Sequence, residues 1–121
     1  MGLSAGLTLE AIVIDCHDAA TLGRWWADAL EWPYAIDDDG AVEVFQPDRH
    51  PPSLFFLGTP DRKVAKNRLH LDFRGADQQA AVDRFLEHGA TRIDVGQGES
   101  SWIVLGDPEG NEFCVLAPSA D

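Results

Sequence analysis

The order of hydrophobic and polar positions is the same in the two halves of the chain. Each half begins with a short, largely apolar stretch, β-branched in the first half, which predicts a strand. An aspartate, Asp18 or Asp77, follows at a helix N-cap position, where its carboxylate accepts hydrogen bonds from the first turn of a helix. Apolar residues then recur at helical spacing, and we expect Pro33 and Gly89 to end the two helices.

Three further short strands are predicted after each helix, separated by turns that contain aspartate, proline and glycine. The predicted strands are residues 9–15, 34–36, 41–46 and 53–57 in the first half and residues 69–74, 91–95, 101–105 and 112–117 in the second. The pattern therefore predicts a single α+β domain of two βαβββ modules, at about residues 7–58 and 67–118, with a connector at 59–66.

An ungapped shift that takes Asp18 onto Asp77 superposes the two halves. Apolar and turn positions then coincide along the whole length of each half. The matched pairs are Ile12 with Leu71, Ile14 with Phe73, Trp26 with Phe85, Val44 with Ile103, Phe45 with Val104, Asp48 with Asp107, and Phe56 with Val115. We interpret this as an internal repeat, because the order of the predicted elements agrees as well.

The composition argues against several classes of function. Of the 121 residues, 21 are Asp or Glu and 9 are Lys or Arg, so the net charge is −12. A surface this acidic repels phosphate backbones and anionic lipids, which argues against nucleic-acid and membrane partners. The sequence shows no secretory signal and no apolar run of the roughly 20 residues that cross a bilayer. Two cysteines are too few for a disulfide framework, and we expect a cytoplasmic protein.

Three short motifs carry a family resemblance. They are Asp107-Pro108-Glu109-Gly110-Asn111 before the last predicted strand, Asn67 to Asp72 at the start of the second module, and Ile14 to Asp18 followed by Arg24-Trp25-Trp26. With its two βαβββ modules, the chain resembles the vicinal oxygen chelate superfamily of glyoxalases, bleomycin-resistance proteins and extradiol dioxygenases, and above all the small glyoxalase-like subgroup. The resemblance implies curled mixed sheets that enclose a cavity, helices on the outside, and a homodimer.

The resemblance also implies where a metal would bind, because metal-using relatives place one ligand on the first and one on the last strand of each module. Those positions hold Ala11, Phe55, His70 and Cys114 in this chain. Ala11 and Phe55 have no ligand atoms, so we expect a degenerate metal site and no bound cofactor. The alternative is a displaced divalent-metal site of His70, Glu112 and either Asp72 or Cys114, in which the cysteine would favour zinc.

Strand alternation places the polar candidates together, because side chains two residues apart share a face. His70 then lies beside Asp72, and Glu112 beside Cys114, while their apolar neighbours in sequence pack on the helices. The residues predicted to contact a ligand are Phe45, Phe55, Trp102, Glu112 and Cys114. Their aromatic members are suited to lining an apolar pocket, although ordinary core packing is the alternative for each.

His70 is the candidate catalytic residue, with Asp72 as its partner. A histidine beside a carboxylate is suited to general acid/base chemistry on a bound molecule. The alternative is a half-buried strand histidine whose ring is satisfied by Asp72 or by a backbone carbonyl. Arg62, Lys63 and Lys66 at the connector either bind an anionic group of a substrate or form a solvated loop.

These observations predict a protein that binds a small organic molecule in an apolar cavity. It either sequesters that molecule or performs a metal-free acid/base step at His70. The alternative hypothesis is a metal-dependent lyase, isomerase or dioxygenase built around His70, and a third is a domain that serves only as an interaction module.

Overall fold

A computed structural model of the chain describes residues 5–60, 63–93 and 101–118. The chain divides into two compact units, Met1–Arg62 and Lys63–Asp121, and the boundary falls within the predicted connector. Within the described part of the chain, no helix is long and apolar enough to cross a membrane.

The two units have the same order of elements. Module one contains β1 (Ala11–Cys16), α1 (Ala19–Leu30), β2 (Tyr34–Ile36), β3 (Val42–Val44) and β4 (Ser53–Gly58). Module two contains β5 (Leu71–Arg74), α2 (Gln78–Glu87), β6 (Thr91–Arg92), β7 (Trp102–Gly106) and β8 (Glu112–Leu116). The predicted α+β class and the two βαβββ modules are confirmed. The end of the strand predicted at 91–95 lies outside the described residues.

Each module forms one four-stranded mixed sheet. The strand order is β1-β4-β3-β2 in the first and β5-β8-β7-β6 in the second. The first and last strands of each module pair in parallel, and the other pairs are antiparallel. The first strand of each module therefore lies directly beside the last. Residues near the start of a module are in this way paired across the strands with residues near its end.

Both helices begin where the sequence predicts. The side chain of Asp18 accepts a hydrogen bond from the Thr21 N–H at 3.1 Å, and Asp77 accepts one from the Ala80 N–H at 3.0 Å. The chain leaves α1 at Glu31, which adopts a left-handed conformation with φ of 58°, two residues before Pro33. Proline is common at this distance after a helix because it cannot continue one, and Gly89, with φ of 100°, follows the end of α2 as expected.

The helix face of sheet one is closely packed against α1. Val42 and Val44 are fully buried, as is Trp26 of the helix at 2% exposure. Gly23 lets the helix approach the sheet, since a Cβ at this position would lie 2.5 Å from the Cβ of Val42. The absence of a side chain at Gly23 thus sets the spacing between α1 and β3.

Aromatic residues join α2 to sheet two. The rings of Phe85 and Phe113 have centroids 4.8 Å apart, and Phe73 lies 6.0 Å from Phe85 and 6.1 Å from Phe113. Because Phe73 and Phe113 point toward the helix, their neighbours Asp72 and Cys114 point to the opposite face of the sheet. The alternation predicted for β5 and β8 is therefore present.

The internal repeat holds with one change of register. Leu54 of β4 pairs with Val44, and its match in module two, Phe113, pairs with Leu105 instead of with Ile103. The predicted matches of Val44 with Ile103 and of Phe45 with Val104 are therefore wrong by two positions. Since two is the side-chain period of a strand, the assignment of residues to faces is unaffected.

The turns before β4 and β8 do match under the shift that relates Asp18 to Asp77. Asp48 accepts a hydrogen bond from the His50 N–H, and Asp107 accepts one from the Glu109 N–H, both at 2.9 Å. The register change therefore lies in β7 and in the hairpin that follows it, since residues 45–52 connect β3 to β4 in module one and residues 107–111 connect β7 to β8 in module two.

Candidate functional site

The face of sheet two that points away from α2 carries a pocket of about 360 Å³. Its lining residues are Lys66, His70, Asp72, Trp102, Val104, Glu112, Cys114 and Leu116. All of them belong to module two, and most lie on β5, β7 or β8 at positions that alternate with the buried aromatic and aliphatic core. Five of the seven residues predicted as catalytic or ligand-binding thus line one pocket.

Three polar side chains meet on this face. Asp72 and Cys114 are direct partners across the parallel strands β5 and β8, and His70 precedes Asp72 by two positions. The Nε2 atom of His70 lies 3.1 Å from Oδ1 of Asp72. One potential metal-ligand atom from each of the three residues falls within 4.8 Å of the other two. We call His70, Asp72 and Cys114 the polar trio.

The members of the polar trio differ in their access to solvent. The side chains of His70 and Asp72 are 41% and 47% exposed, whereas Cys114 is buried. Asp72 is positioned to orient the imidazole, which leaves Nδ1 as the ring nitrogen that a bound molecule can use. This geometry is suited to proton transfer at the edge of the pocket.

The thiol of Cys114 is held in its neutral form. Burial raises its pKa most, and the negative charge of Asp72 and a hydrogen bond to that carboxylate raise the pKa further, against a smaller opposing effect of the Lys66 charge. A thiol is a nucleophile only as the thiolate. Without a metal or another cation to ionise it, Cys114 is therefore a packing and hydrogen-bonding group.

Glu112 lies at the edge of the pocket and is engaged by the protein itself. Its Oε2 accepts a hydrogen bond from Lys63 Nζ at 3.0 Å, and its Oε1 accepts one from the Asn67 N–H at 2.9 Å. Burial alone would raise the pKa of Glu112, but these hydrogen bonds outweigh it and hold the pKa below its ordinary value. The carboxylate is ionised and joins the segment before β5 to the start of β8.

The remaining lining is apolar. Trp102 and Val104 on β7 and Leu116 on β8 line the same pocket, and Trp102 is 40% exposed. An exposed indole beside aliphatic side chains provides a flat surface on which an aromatic ligand can stack. The pocket therefore has an apolar floor and a polar end.

Phe45 and Phe55 belong to module one, and neither is among the residues that line the module-two pocket. Phe45 lines a smaller pocket of about 220 Å³, where the guanidinium of Arg49 lies 4.1 Å from the centre of its ring. Phe55 lies on β4 beside Val13 of β1.

The polar trio has no counterpart in module one. The shift between the modules relates His70 to Ala11, Asp72 to Val13 and Cys114 to Phe55. All three equivalents are apolar, and the four strand positions used by metal-binding relatives are occupied by Ala11, Phe55, His70 and Cys114. Two of these side chains have no ligand atom, so the residues do not fit the metal set of the family.

The sequence predicts that Lys63 and Lys66 either bind an anionic group of a substrate or lie in a solvated loop. Lys66 lines the pocket, and the pairing of Lys63 with Glu112 was not predicted. The sequence signal for a charged site here was the position of the lysines. Lys63 and Lys66 are the only two lysines of the chain and lie together just before β5. Lys63 and Glu112 are 49 residues apart in the sequence, so no local pattern indicates that they form a pair.

Comparison with protein families identifies the class. The sequence model of the glyoxalase-like domain family matches residues 11–116. The chain belongs to this family, which is part of the vicinal oxygen chelate superfamily. No curated protein matches the sequence.

Solved structures of low sequence identity share the fold. A glyoxalase/bleomycin resistance protein/dioxygenase family enzyme from Burkholderia phytofirmans PsJN is 14% identical with a TM-score of 0.74, over 93% of this chain and all of that one. TnmS3, an antibiotic-binding protein from Streptomyces sp. CB03234, is 18% identical with a TM-score of 0.65, over 96% of this chain and 99% of that one. The oxidase ChaP-H1 is 18% identical with a TM-score of 0.69, over 94% and 98% of the two chains.

Proposed function

We propose that this protein binds a small organic molecule in the module-two pocket and that it does so without a metal ion. The observation that carries the proposal is the combination of an apolar floor, formed by Trp102, Val104 and Leu116, with the close pair of His70 and Asp72 at one end. Ligand sites are typically concave and mostly apolar, with few polar groups that fix the orientation of the ligand.

Two further observations support this proposal. A pocket of about 360 Å³ falls within the size range of small-molecule sites, roughly 300–1,000 Å³. In addition, one structural relative is an antibiotic-binding protein, so the fold is compatible with binding an organic molecule. The proposed ligand has a flat apolar part that stacks on Trp102 and a polar part that reaches His70.

The His70–Asp72 pair gives the bound molecule one of two fates. If the protein sequesters its ligand, Nδ1 of His70 forms a hydrogen bond and the ligand is released unchanged. If the protein is an enzyme, Nδ1 accepts a proton from the bound molecule and returns it later, while Asp72 stabilises the imidazolium. Both fates use the same pocket and need no metal.

Ligand-induced stabilisation tests the pocket. A panel of aromatic and amphiphilic metabolites is screened for a rise in Tm, since a molecule that binds only the native state must raise it. We expect Trp102→Ala to abolish the rise. Tyr34→Ala is a matched control, because Tyr34 is an equally exposed aromatic residue of module one, and it should retain the response. A panel without hits, or hits that persist in Trp102→Ala, would overturn the proposal.

Each compound that binds is then used to distinguish sequestration from acid/base catalysis. The compound is incubated with the wild-type protein and with His70→Ala and is analysed by mass spectrometry. Sequestration predicts that the compound is recovered unchanged from both proteins. Acid/base catalysis predicts a product, or exchange of a carbon-bound proton for deuterium, with the wild type and not with His70→Ala.

A second candidate function is that of a metal-dependent lyase, isomerase or dioxygenase that uses the polar trio. The observation in its favour is that the three ligand atoms of His70, Asp72 and Cys114 lie within 4.8 Å of one another. This set differs from the displaced sets expected from the sequence, since Glu112 is held by Lys63 and Asp72 takes the third place. One nitrogen, one oxygen and one sulfur ligand suit zinc, which would supply Lewis-acid chemistry.

Metal titration distinguishes the two candidates. Chelator-stripped protein is titrated with Zn²⁺ by calorimetry and with Co²⁺ by absorbance, which reports a cobalt–thiolate bond directly. The metal-dependent candidate predicts stoichiometric binding that is lost in His70→Ala and Cys114→Ser and kept in Cys16→Ser, where a buried thiol outside the site is changed. The metal-free proposal predicts no stoichiometric binding to any of these proteins.

The oligomeric state is proposed from the family resemblance alone. We propose a homodimer, and sedimentation velocity at several concentrations tests it. A species with twice the mass of the chain is expected, and a monomer at all concentrations contradicts it.

A cytoplasmic location also stays a proposal, which fractionation of the source cells would test.

A further inference from the structure

We propose that the ligand of the module-two pocket carries an acidic group, such as a carboxylate, and that Lys66 recognises it. This inference rests on the proposed function and specifies the class of ligand. The chemistry is that of an aromatic or aliphatic acid whose apolar part contacts the floor of the pocket and whose anionic end contacts an ammonium group.

The charged side chains of the pocket are paired, with one exception. Asp72 lies against His70 at 3.1 Å, and Glu112 lies against Lys63 at 3.0 Å. Lys66 also lines the pocket, but it has neither an ion-pair nor a hydrogen-bond partner among residues 5–60, 63–93 and 101–118. Its ammonium group is therefore the unpaired charge that this pocket offers to a ligand.

Lys66 lines the same pocket as Trp102, and its side chain is exposed. Its ammonium group is therefore accessible to a molecule that enters the pocket. The attraction between opposite charges grows as their separation falls, so an anion stacked on Trp102 would be attracted by the Lys66 charge.

The net charge of the protein cannot explain a preference for acidic ligands over uncharged ones. With a net charge of −12, the protein repels anions at long range. Any preference of the pocket for an acid over an uncharged isostere must therefore come from groups that line the pocket, of which Lys66 and His70 can carry a positive charge. Because the chain has only two lysines and Lys63 is engaged by Glu112, Lys66 is the group to test.

The experiment compares an acid with its uncharged isostere. Binding of 2-naphthoate and of 2-naphthamide is measured by isothermal titration calorimetry at low salt, with the wild-type protein, Lys66→Gln and Arg92→Gln. Arg92→Gln is the matched control, because it removes one exposed positive charge of the same module outside the pocket. We expect the wild type to prefer naphthoate about fivefold, the effect of one partly exposed ion pair.

The two substitutions show whether the preference for naphthoate depends on Lys66. Lys66→Gln should reduce the preference to none and Arg92→Gln should leave it in place, and added salt should weaken it only in proteins that keep Lys66. Equal binding of the two probes by the wild type, or a preference that survives in Lys66→Gln, would overturn the inference while the pocket itself stands. If neither probe binds, or Trp102→Ala does not weaken either one, the proposed function fails as well.

Discussion

The two cysteines of the chain are both buried, yet their surroundings differ. The Cys16 thiol donates to the carbonyl oxygen of Leu57 at 3.5 Å, whereas Cys114 faces the carboxylate of Asp72 across two paired strands. A neighbouring negative charge disfavours the thiolate, so the Asp72 carboxylate raises the pKa of Cys114.

Substitution of Asp72 should make Cys114 more reactive. Burial, the Asp72 charge and a hydrogen bond to that carboxylate raise the pKa of the Cys114 thiol, so Asp72→Asn removes the charge and the pKa falls. A lower pKa means more thiolate at a given pH. Rates of iodoacetamide alkylation, measured between pH 7 and 10 in metal-free protein of a Cys16→Ser background, should rise at pH values below the pKa. An unchanged pH profile would show that Asp72 does not act on the thiol.

Glu112 should contribute stability that depends on pH. Its pKa is lower in the folded protein than in the unfolded chain, so its contribution is fully present above pH of about 4.3 and is lost as the pH falls through the folded pKa. Glu112→Gln should therefore lower the free energy of unfolding by about 1–2 kcal/mol at pH 7, since hydrogen bonds to a charged group are lost.

The difference between wild type and Glu112→Gln should shrink as the pH falls, because the wild-type carboxylate gains a proton as the pH passes through its folded pKa. Urea denaturation at a series of decreasing pH values measures it, with Glu87→Gln at the end of α2 as the control. A loss of the same size at every pH would indicate that packing, and not charge, accounts for the effect.

At the scale of elements, the contact of α1 with β3 depends on a residue without a side chain. Gly23→Ala adds a Cβ that would lie 2.5 Å from Cβ and 2.6 Å from Cγ1 of Val42, which is fully buried. A β-branched strand residue cannot move aside without shifting the backbone. We expect a net loss of about 1–3 kcal/mol in the free energy of unfolding despite the better helix propensity of alanine.

Urea denaturation checks this expectation, and Gly58→Ala is the control, because a Cβ at Gly58 meets no atom within 4 Å. Wild-type stability in Gly23→Ala would mean that helix and sheet adjust their spacing without cost.

Most elements could be predicted from the sequence because their signals are local. The caps at Asp18 and Asp77 and the alternation in β5 and β8 depend on residues that are close in sequence. The register of β7 could not be predicted, because it depends on the length of a hairpin and not on the apolar pattern. The pairing of Lys63 with Glu112 joins distant segments, and no local pattern encodes it.

At the scale of the whole molecule, one fold has been used twice with different side chains. Both modules have the same strand order, but the polar trio of module two corresponds to Ala11, Val13 and Phe55 in module one. Module one forms the same strand order with apolar residues at these positions, so the strand order does not require the polar set. We therefore propose that the polar trio serves ligand binding and not folding.

The double variant His70→Ala with Asp72→Val tests this view, because it gives module two the residues of module one at these positions. The pair is exposed enough to be worth at most about 1 kcal/mol, and valine favours strands, so the free energy of unfolding should stay within about 1 kcal/mol of the wild type. The thermal shift by a ligand should be lost. A larger loss of stability in urea denaturation would mean that the pair is structural.

Because the chain has so few lysines, chemical modification of one of them can be used to detect a ligand in the module-two pocket. Lys63 donates hydrogen bonds to Glu112 and to the carbonyl oxygen of Ala65, which leaves Lys66 as the lysine that is more open to an acylating reagent. An acidic ligand held by the Lys66 ammonium group should therefore slow acylation of Lys66. Mass spectrometry of the peptide that contains Lys66 would then report occupancy of the pocket, with no residue introduced into the chain.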